Sequence, residues 1–95
     1  MNEKIVQRMK LLGFPLRAKI FELLCEREYT HAELSSALQT FFGVWEHLQK
    51  MVNAGLLIKI EVERRDIRYR ANPQAIEEMV STLKKLQSVI HLGDE

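Results

Sequence analysis

Along most of this chain apolar residues recur every three or four positions, whereas between Ile58 and Ala71 they recur every second one. The first spacing predicts helices and the second predicts half-buried strands. Ile5, Val6, Met9 and Leu12, with Lys4, Arg8 and Lys10 among them, predict a helix over Asn2 to Leu12 that Gly13 breaks. Pro15 suits an early position of a second helix, where its missing N–H costs nothing. That helix runs to about Arg27, with Leu16, Ile20, Phe21, Leu23 and Leu24 as its apolar face and Cys25 beside it. A small free thiol next to such a face is expected to be buried.

From Thr30 to Leu57 the pattern predicts two short helices, about His31–Ala37 and Phe41–Ala54, linked by Leu38-Gln39-Thr40. Thr30 and Glu33 have the spacing of a capping box, Thr40 is placed to cap the second helix, and Gly55 to end it. Leu34, Ala37 and Leu38 face inward from the first helix, and Phe41, Val44, Leu48, Met51 and Val52 from the second. The outer side carries Phe42, Gly43, Glu46, Gln49, Lys50 and Asn53, with Trp45 at its margin. This is the pattern of a helix-turn-helix, whose second helix enters the major groove of DNA.

Ile58, Ile60 and Val62 then alternate with Lys59, Glu61 and Glu63, and Ile67, Tyr69 and Ala71 with Arg68 and Arg70. Two antiparallel strands follow, turning at Arg64-Arg65-Asp66. A hairpin directly behind a recognition helix is a wing, and an arginine tip suits phosphates or a narrow minor groove. Asn72-Pro73 opens a last helix, about 73–92, with a stripe of Ile76, Met79, Val80, Leu83, Leu86 and Ile90. The expected fold is mainly α with a small β-hairpin, a winged helix-turn-helix in one domain over 1–95: helix-turn-helix about 30–55, wing about 58–71.

Composition changes this picture little. The 95 residues are 46% apolar and 28% charged, ordinary for a globular chain. No apolar run approaches the ~20 residues of a membrane span, and the charged N-terminus does not read as a secretory signal. One cysteine excludes an intramolecular disulfide framework, so a cytoplasmic setting is expected. Net charge is only +1. Its distribution matters more: five basic residues stand against three acidic ones between Lys59 and Arg70, and two against four from Asn72 onward. The positive charge gathers on the wing.

The first and last helices carry more apolar surface than one small core covers. The expected outcome is a two-fold homodimer through Ile5, Val6, Met9 and Leu12 of one and Ile76, Met79, Val80, Leu83, Leu86 and Ile90 of the other. Such a dimer sets two recognition helices about 34 Å apart, one turn of duplex.

Pro15-Leu16-Arg17-x-x-Ile20, Glu33-Leu34, Val44-x-x-His47-Leu48, Ala54-Gly55-Leu56-Leu57 and Tyr69-Arg70-x-Asn72-Pro73 occur in an order that resembles the arsenical-resistance-repressor (ArsR) family of winged-helix regulators. The likeness spans roughly residues 13 to 75. It implies a homodimeric repressor with dimer contacts from the terminal helices. The metal-site residues of that family are missing. The segment His31–Ala37 holds no cysteine, and the last-helix ligand positions fall at Pro73, Ala75 and near Leu86 and Val89. His31, His47 and His91 lie in three different elements, so no metal and no cofactor is expected. A weak surface site of His91 with Asp94 and Glu95 is the remaining arrangement, and His47 is expected to pack or hydrogen-bond near the core.

The expected partner is double-stranded DNA, contacted by Thr40, Phe42, Gly43, Trp45, Glu46, Gln49 and Lys50 of the recognition helix and Arg64, Arg65 and Arg68 of the wing. Gln49 suits adenine, Lys50 phosphate or guanine, and Glu46 the cytosine amino group. Phe42 and Trp45 are unconventional there. Packing against neighbouring helices is favoured for them, with thymine methyl contact as the alternative. An aromatic recognition helix also leaves open a protein–protein interaction module. No nucleophile with a base beside it and no glycine-rich phosphate loop points to an enzyme.

Overall fold

Asn2 starts the first helix by accepting the Lys4 amide on its side chain at 2.7 Å. In the computed structural model, which describes residues 1–93 and side chains to residue 90, this helix is α1 (Glu3–Leu12). It is followed by α2 (Pro15–Glu26), β1 (Tyr29–Thr30), α3 (His31–Leu38), α4 (Val44–Asn53), β2 (Leu57–Glu63), β3 (Asp66–Ala71) and α5 (Pro73–Gly93). Five helices and a three-stranded antiparallel sheet, ordered β1-β3-β2, make a winged helix-turn-helix. The surface arrangement of His91, Asp94 and Glu95 lies outside the described residues.

The core gathers one face of each element. Ile20, Leu34, Val44, Leu48, Met51, Leu56 and Ala75 are fully buried, joined by Leu24, Leu57 and Tyr69. The Thr30 hydroxyl accepts the Glu33 amide at 3.1 Å, and the Glu33 carboxylate accepts the Thr30 amide at 2.9 Å, completing the capping box. Glu33 is held below its usual carboxylate range, mainly by that bond from the Thr30 backbone.

Several expectations change. The strand β1 is only two residues long, too short to show a period, yet it pairs Tyr29 with Tyr69 and Thr30 with Arg68. The hairpin turn is the pair Arg64-Arg65 alone, because Asp66 already pairs with Glu63. Arg65 takes φ +76°, uncommon for a residue with a Cβ, and the register shifts between Glu61 and Glu63. Cross-strand partners share a face. Ile58 opposes Arg70 and Ile60 opposes Arg68, so these isoleucines lie on the other side of the sheet from the core residues Leu57, Tyr69 and Ala71. Val62 is exposed. Cys25 is also exposed, because α2 turns it toward Glu22 and Glu26 rather than the core; partial burial, then those carboxylates, raise its thiol pKa. Ala37 is exposed too, leaving Leu34 and Leu38 as the inward residues of α3.

The terminal helices divide their stripes. Ile5 and Met79 are buried within this subunit, and Met9 and Leu12 pack partly against the same core, so these four are at least partly used internally. Ile76 is half-buried. Val6, Val80, Leu83, Leu86 and Ile90 remain exposed.

One buried charge joins the ends of the fold. Arg8, 2% exposed, donates from Nε to the Ala54 carbonyl and from Nη1 to Glu78 Oε2, both at 2.8 Å. Ala54 is the C-cap of α4, so the guanidinium sits at the negative end of that helix. The bond from Arg8 is the main reason Glu78 ionises below its usual range. That contribution to stability is therefore present above the ordinary carboxylate pKa and lost as pH falls through the lowered value. Gly55, at φ +79°, follows directly; a Cβ there would stand 2.7 Å from Arg8 Nη2. Asn72 closes the same junction, donating its side-chain amide to the Gly55 carbonyl at 2.9 Å while accepting the Gln74 amide at the start of α5.

Arg8→Ala is expected to lower unfolding free energy by roughly 2–3 kcal/mol, since it empties a buried site and orphans a helix-end carbonyl. Urea unfolding followed by Trp45 fluorescence measures it. A loss below about 0.5 kcal/mol, the size of an ordinary surface change, would contradict the assignment.

Candidate nucleic-acid interface

The helix α4 begins three residues later than the apolar pattern suggests. Phe41 and Phe42 continue that pattern, but the chain is still turning: Gln39 takes φ +57° and Gly43 φ +76°. Gly43 is the N-cap, its carbonyl accepting the His47 amide at 2.9 Å, and no side chain caps the helix. Thr40 therefore does not cap it; Thr40 is half-buried in the turn, its amide bonded to the Ser35 carbonyl at 3.1 Å. Phe41, expected inside, is 72% exposed.

From Gly43 onward the helix is strongly two-sided. Val44, Leu48 and Met51 are completely buried, which fixes Trp45, Glu46, Lys50 and Asn53 on the open side. The aromatics favoured for packing are not packed: Phe42 is 91% and Trp45 57% exposed. Gln49 is half-buried, and its amide points from a long 3.5 Å to the Tyr69 hydroxyl of β3.

The N-terminal half of α4 is tied to α2 by a small cluster. Arg17 donates from Nε to His47 Nδ1 at 3.0 Å. The Arg17 guanidinium lies 4.7 Å from the centroid of the Phe14 ring, and the Phe14 and His47 rings are 5.6 Å apart. A ring nitrogen that accepts from arginine carries no proton. Burial, then the charges of Arg17 and Lys50, lower the His47 pKa against a smaller opposing effect of Glu46.

At the wing, Arg64 and Arg65 occupy the exposed tip. Arg68 is turned back on its own strand, with Nε 3.2 Å from Asp66 Oδ1. That hydrogen bond raises its already high pKa, with Glu28 and Glu33 nearby in charge. Glu61 and Lys59 also approach each other at 3.8 Å. Positive charge at the hairpin tip thus comes from Arg64 and Arg65.

Among the described residues, no three His, Cys, Asp or Glu side chains gather to hold a metal. His31 Nε2 and Ser35 Oγ, both on α3, are buried without a hydrogen-bond partner. Sequence reasoning misses Arg8, Arg17 and Phe14; their spacing resembles that of ordinary surface-facing and capping residues.

No family model and no curated relative matches the sequence. Solved structures do match. An ArsR-like transcriptional regulator from Rhodococcus sp. RHA1 superposes with TM-score 0.85 at 21% identity, over 93% of this chain and 83% of that one. This chain has the ArsR-like winged helix-turn-helix fold. Two other neighbours extend the comparison. Reduced HlyU from Vibrio cholerae N16961 gives TM-score 0.69 at 25% identity, over 87% of each chain. A homodimeric winged helix-turn-helix DNA-binding domain from Mycobacterium bovis, a possible ArsR-family transcriptional regulator, gives 0.68 at 21%, over 94% and 80%. In this ArsR-like frame α3 and α4 are the helix-turn-helix, and β2 and β3 the wing.

The depressed His47 pKa sets a pH dependence. The unfolded chain binds this proton more readily than the folded one, so stability present above the ordinary value of 6.5 is lost as pH falls through the lowered native value. Thermal melts from pH 7.5 to 5 are expected to show the wild type losing stability relative to His47→Gln. A difference between the two that does not vary with pH would contradict a neutral His47 held by Arg17.

Proposed function

We propose that this chain is a homodimeric, sequence-specific regulator of transcription that binds double-stranded DNA and acts as a repressor in the cytoplasm. The observation that carries the reading is a recognition helix bare on one side and braced at both ends, with an arginine-tipped wing behind it, in an ArsR-like fold. Trp45, Glu46 and Lys50, with Phe42 and Gly43 at the entrance, are the major-groove residues, and Thr40 and Gln49 border them. Arg64 and Arg65 hold phosphates, while Arg68 braces the wing through Asp66. The function is binding, with no catalytic step.

The dimer reading rests on Val80, Leu83, Leu86 and Ile90. All four are exposed on one helix at a spacing that makes a single stripe, and Val6 of α1 is exposed as well. A second subunit covers that stripe, and the homodimeric Mycobacterium bovis domain supports it. No described helix is long and apolar enough to cross a membrane. The exposed aromatics support a second reading, a docking surface for another protein.

Duplex binding is expected to weaken steeply with salt as counterions are recaptured, and Arg64→Ala to reduce the slope of log K against log salt by about one. Binding to protein alone would leave duplex affinity undetectable at low salt. Sedimentation is expected to give a dimer at micromolar concentration and Leu83→Glu a folded monomer. A wild-type monomer under those conditions would end the dimer reading.

A further inference from the structure

The base-reading face of α4 is short of hydrogen-bond donors. It carries no arginine, and the Gln49 amide is directed at Tyr69. Glu46 only accepts, and its charge opposes any resting place against phosphate. Lys50 is the one exposed cation on the helix. What the face and the turn before it offer in quantity is aromatic surface, from Phe41 at 72% and Phe42 at 91% in the turn and Trp45 at 57% exposure on the helix.

This exposure is built in. Val44, Leu48 and Met51 are anchored in the core, which fixes the helix rotation that turns Trp45 outward. Gly43, in the left-handed region at φ +76°, is the N-cap, so Phe42 lies in the turn just before the helix with its ring exposed. Side chains this large leave a substantial apolar area in water until a partner covers it.

Resting on the duplex reading, we propose that Phe42 and Trp45 read the 5-methyl groups of thymine, so that the preferred half-site is thymine-rich where the start of α4 meets the major groove. The thymine methyl is the large apolar feature on a base edge there, and the N-terminal residues of a recognition helix are the ones that meet base edges. Charge favours this partner over an apolar protein surface. The same helix carries Lys50 one turn further on, and the wing tip carries Arg64 and Arg65, so the aromatics stand within a surface whose cations suit a polyanion. Glu46, one position after Trp45, accepts from the amino group of cytosine or adenine and disfavours guanine, whose major-groove edge presents acceptors.

The test is affinity for a duplex recovered from a random pool, measured against the same duplex with each thymine replaced in turn by deoxyuridine. Deoxyuridine keeps the hydrogen bonds and loses the methyl. Covering one methyl is worth roughly 0.8 kcal/mol, so about a fourfold loss is expected at each contacted position. Phe42→Ala and Trp45→Ala should erase that sensitivity while circular dichroism shows them folded. Arg64→Ala should weaken thymine and uracil duplexes equally. A duplex bound tightly but equally in both forms overturns methyl reading and leaves duplex binding standing. Failure to recover any duplex overturns both, and a protein partner lost on Trp45→Ala would then account for the aromatics.

Discussion

The fold depends on a buried guanidinium. Arg8 enters the protein from α1, bonds the carbonyl at the end of α4, and meets Glu78 of α5. A buried charge without partners is strongly destabilising, so these contacts must form together. They join residues 46 and 70 positions apart and lie against Gly55, whose φ of +79° favours glycine and where an added Cβ would stand 2.7 Å from Arg8 Nη2 and displace the guanidinium. Asn72 then fastens the Gly55 carbonyl to the start of α5. One junction thereby sets the end of α4, the departure of the wing and the direction of the last helix.

The other end of α4 is held differently. Gly43 turns the chain without a side-chain cap, and the Arg17–His47 bond ties the helix to α2. With both ends braced and the inner face packed, the outer face needs no internal contacts. Large aromatic side chains stay there without unfolding the helix. The same logic applies to α5, which is packed at Ala75 and Met79 and exposed at Val80, Leu83, Leu86 and Ile90. Surfaces that contribute nothing to the monomer's core are the ones available for partners.

Local chemistry makes much of this fold legible in the amino-acid sequence. The Thr30–Glu33 capping box, the glycine after α4, the Asn72-Pro73 start and the change of period at Ile58 each act within a few residues. What escapes depends on distance or on competing signals. Phe41 and Phe42 prolong an apolar pattern that a left-handed Gly43 interrupts. Alternation in β2 suggests that Ile58 and Ile60 line the core, whereas the register with Arg70 and Arg68 puts them on the opposite face. Cys25 lies one helical step from burial. Arg8 looks like any surface arginine, because its partners lie far along the chain. In the candidate site, the positions on α4 and at the wing tip are legible from helical and hairpin geometry. The approach of Gln49 to Tyr69 and the pairing of Arg68 with Asp66 are not, because each answers to a side chain on β3.

The central claim is that two braced recognition helices, related by a two-fold axis, read one duplex. Selection of bound duplexes from a random pool tests it most directly, because it reports activity and symmetry together. The predicted result is enrichment of inverted repeats whose half-sites are centred about 10 base pairs apart, one turn of DNA. Enrichment of a lone half-site with no partner, or of no sequence at all at low salt, would contradict it.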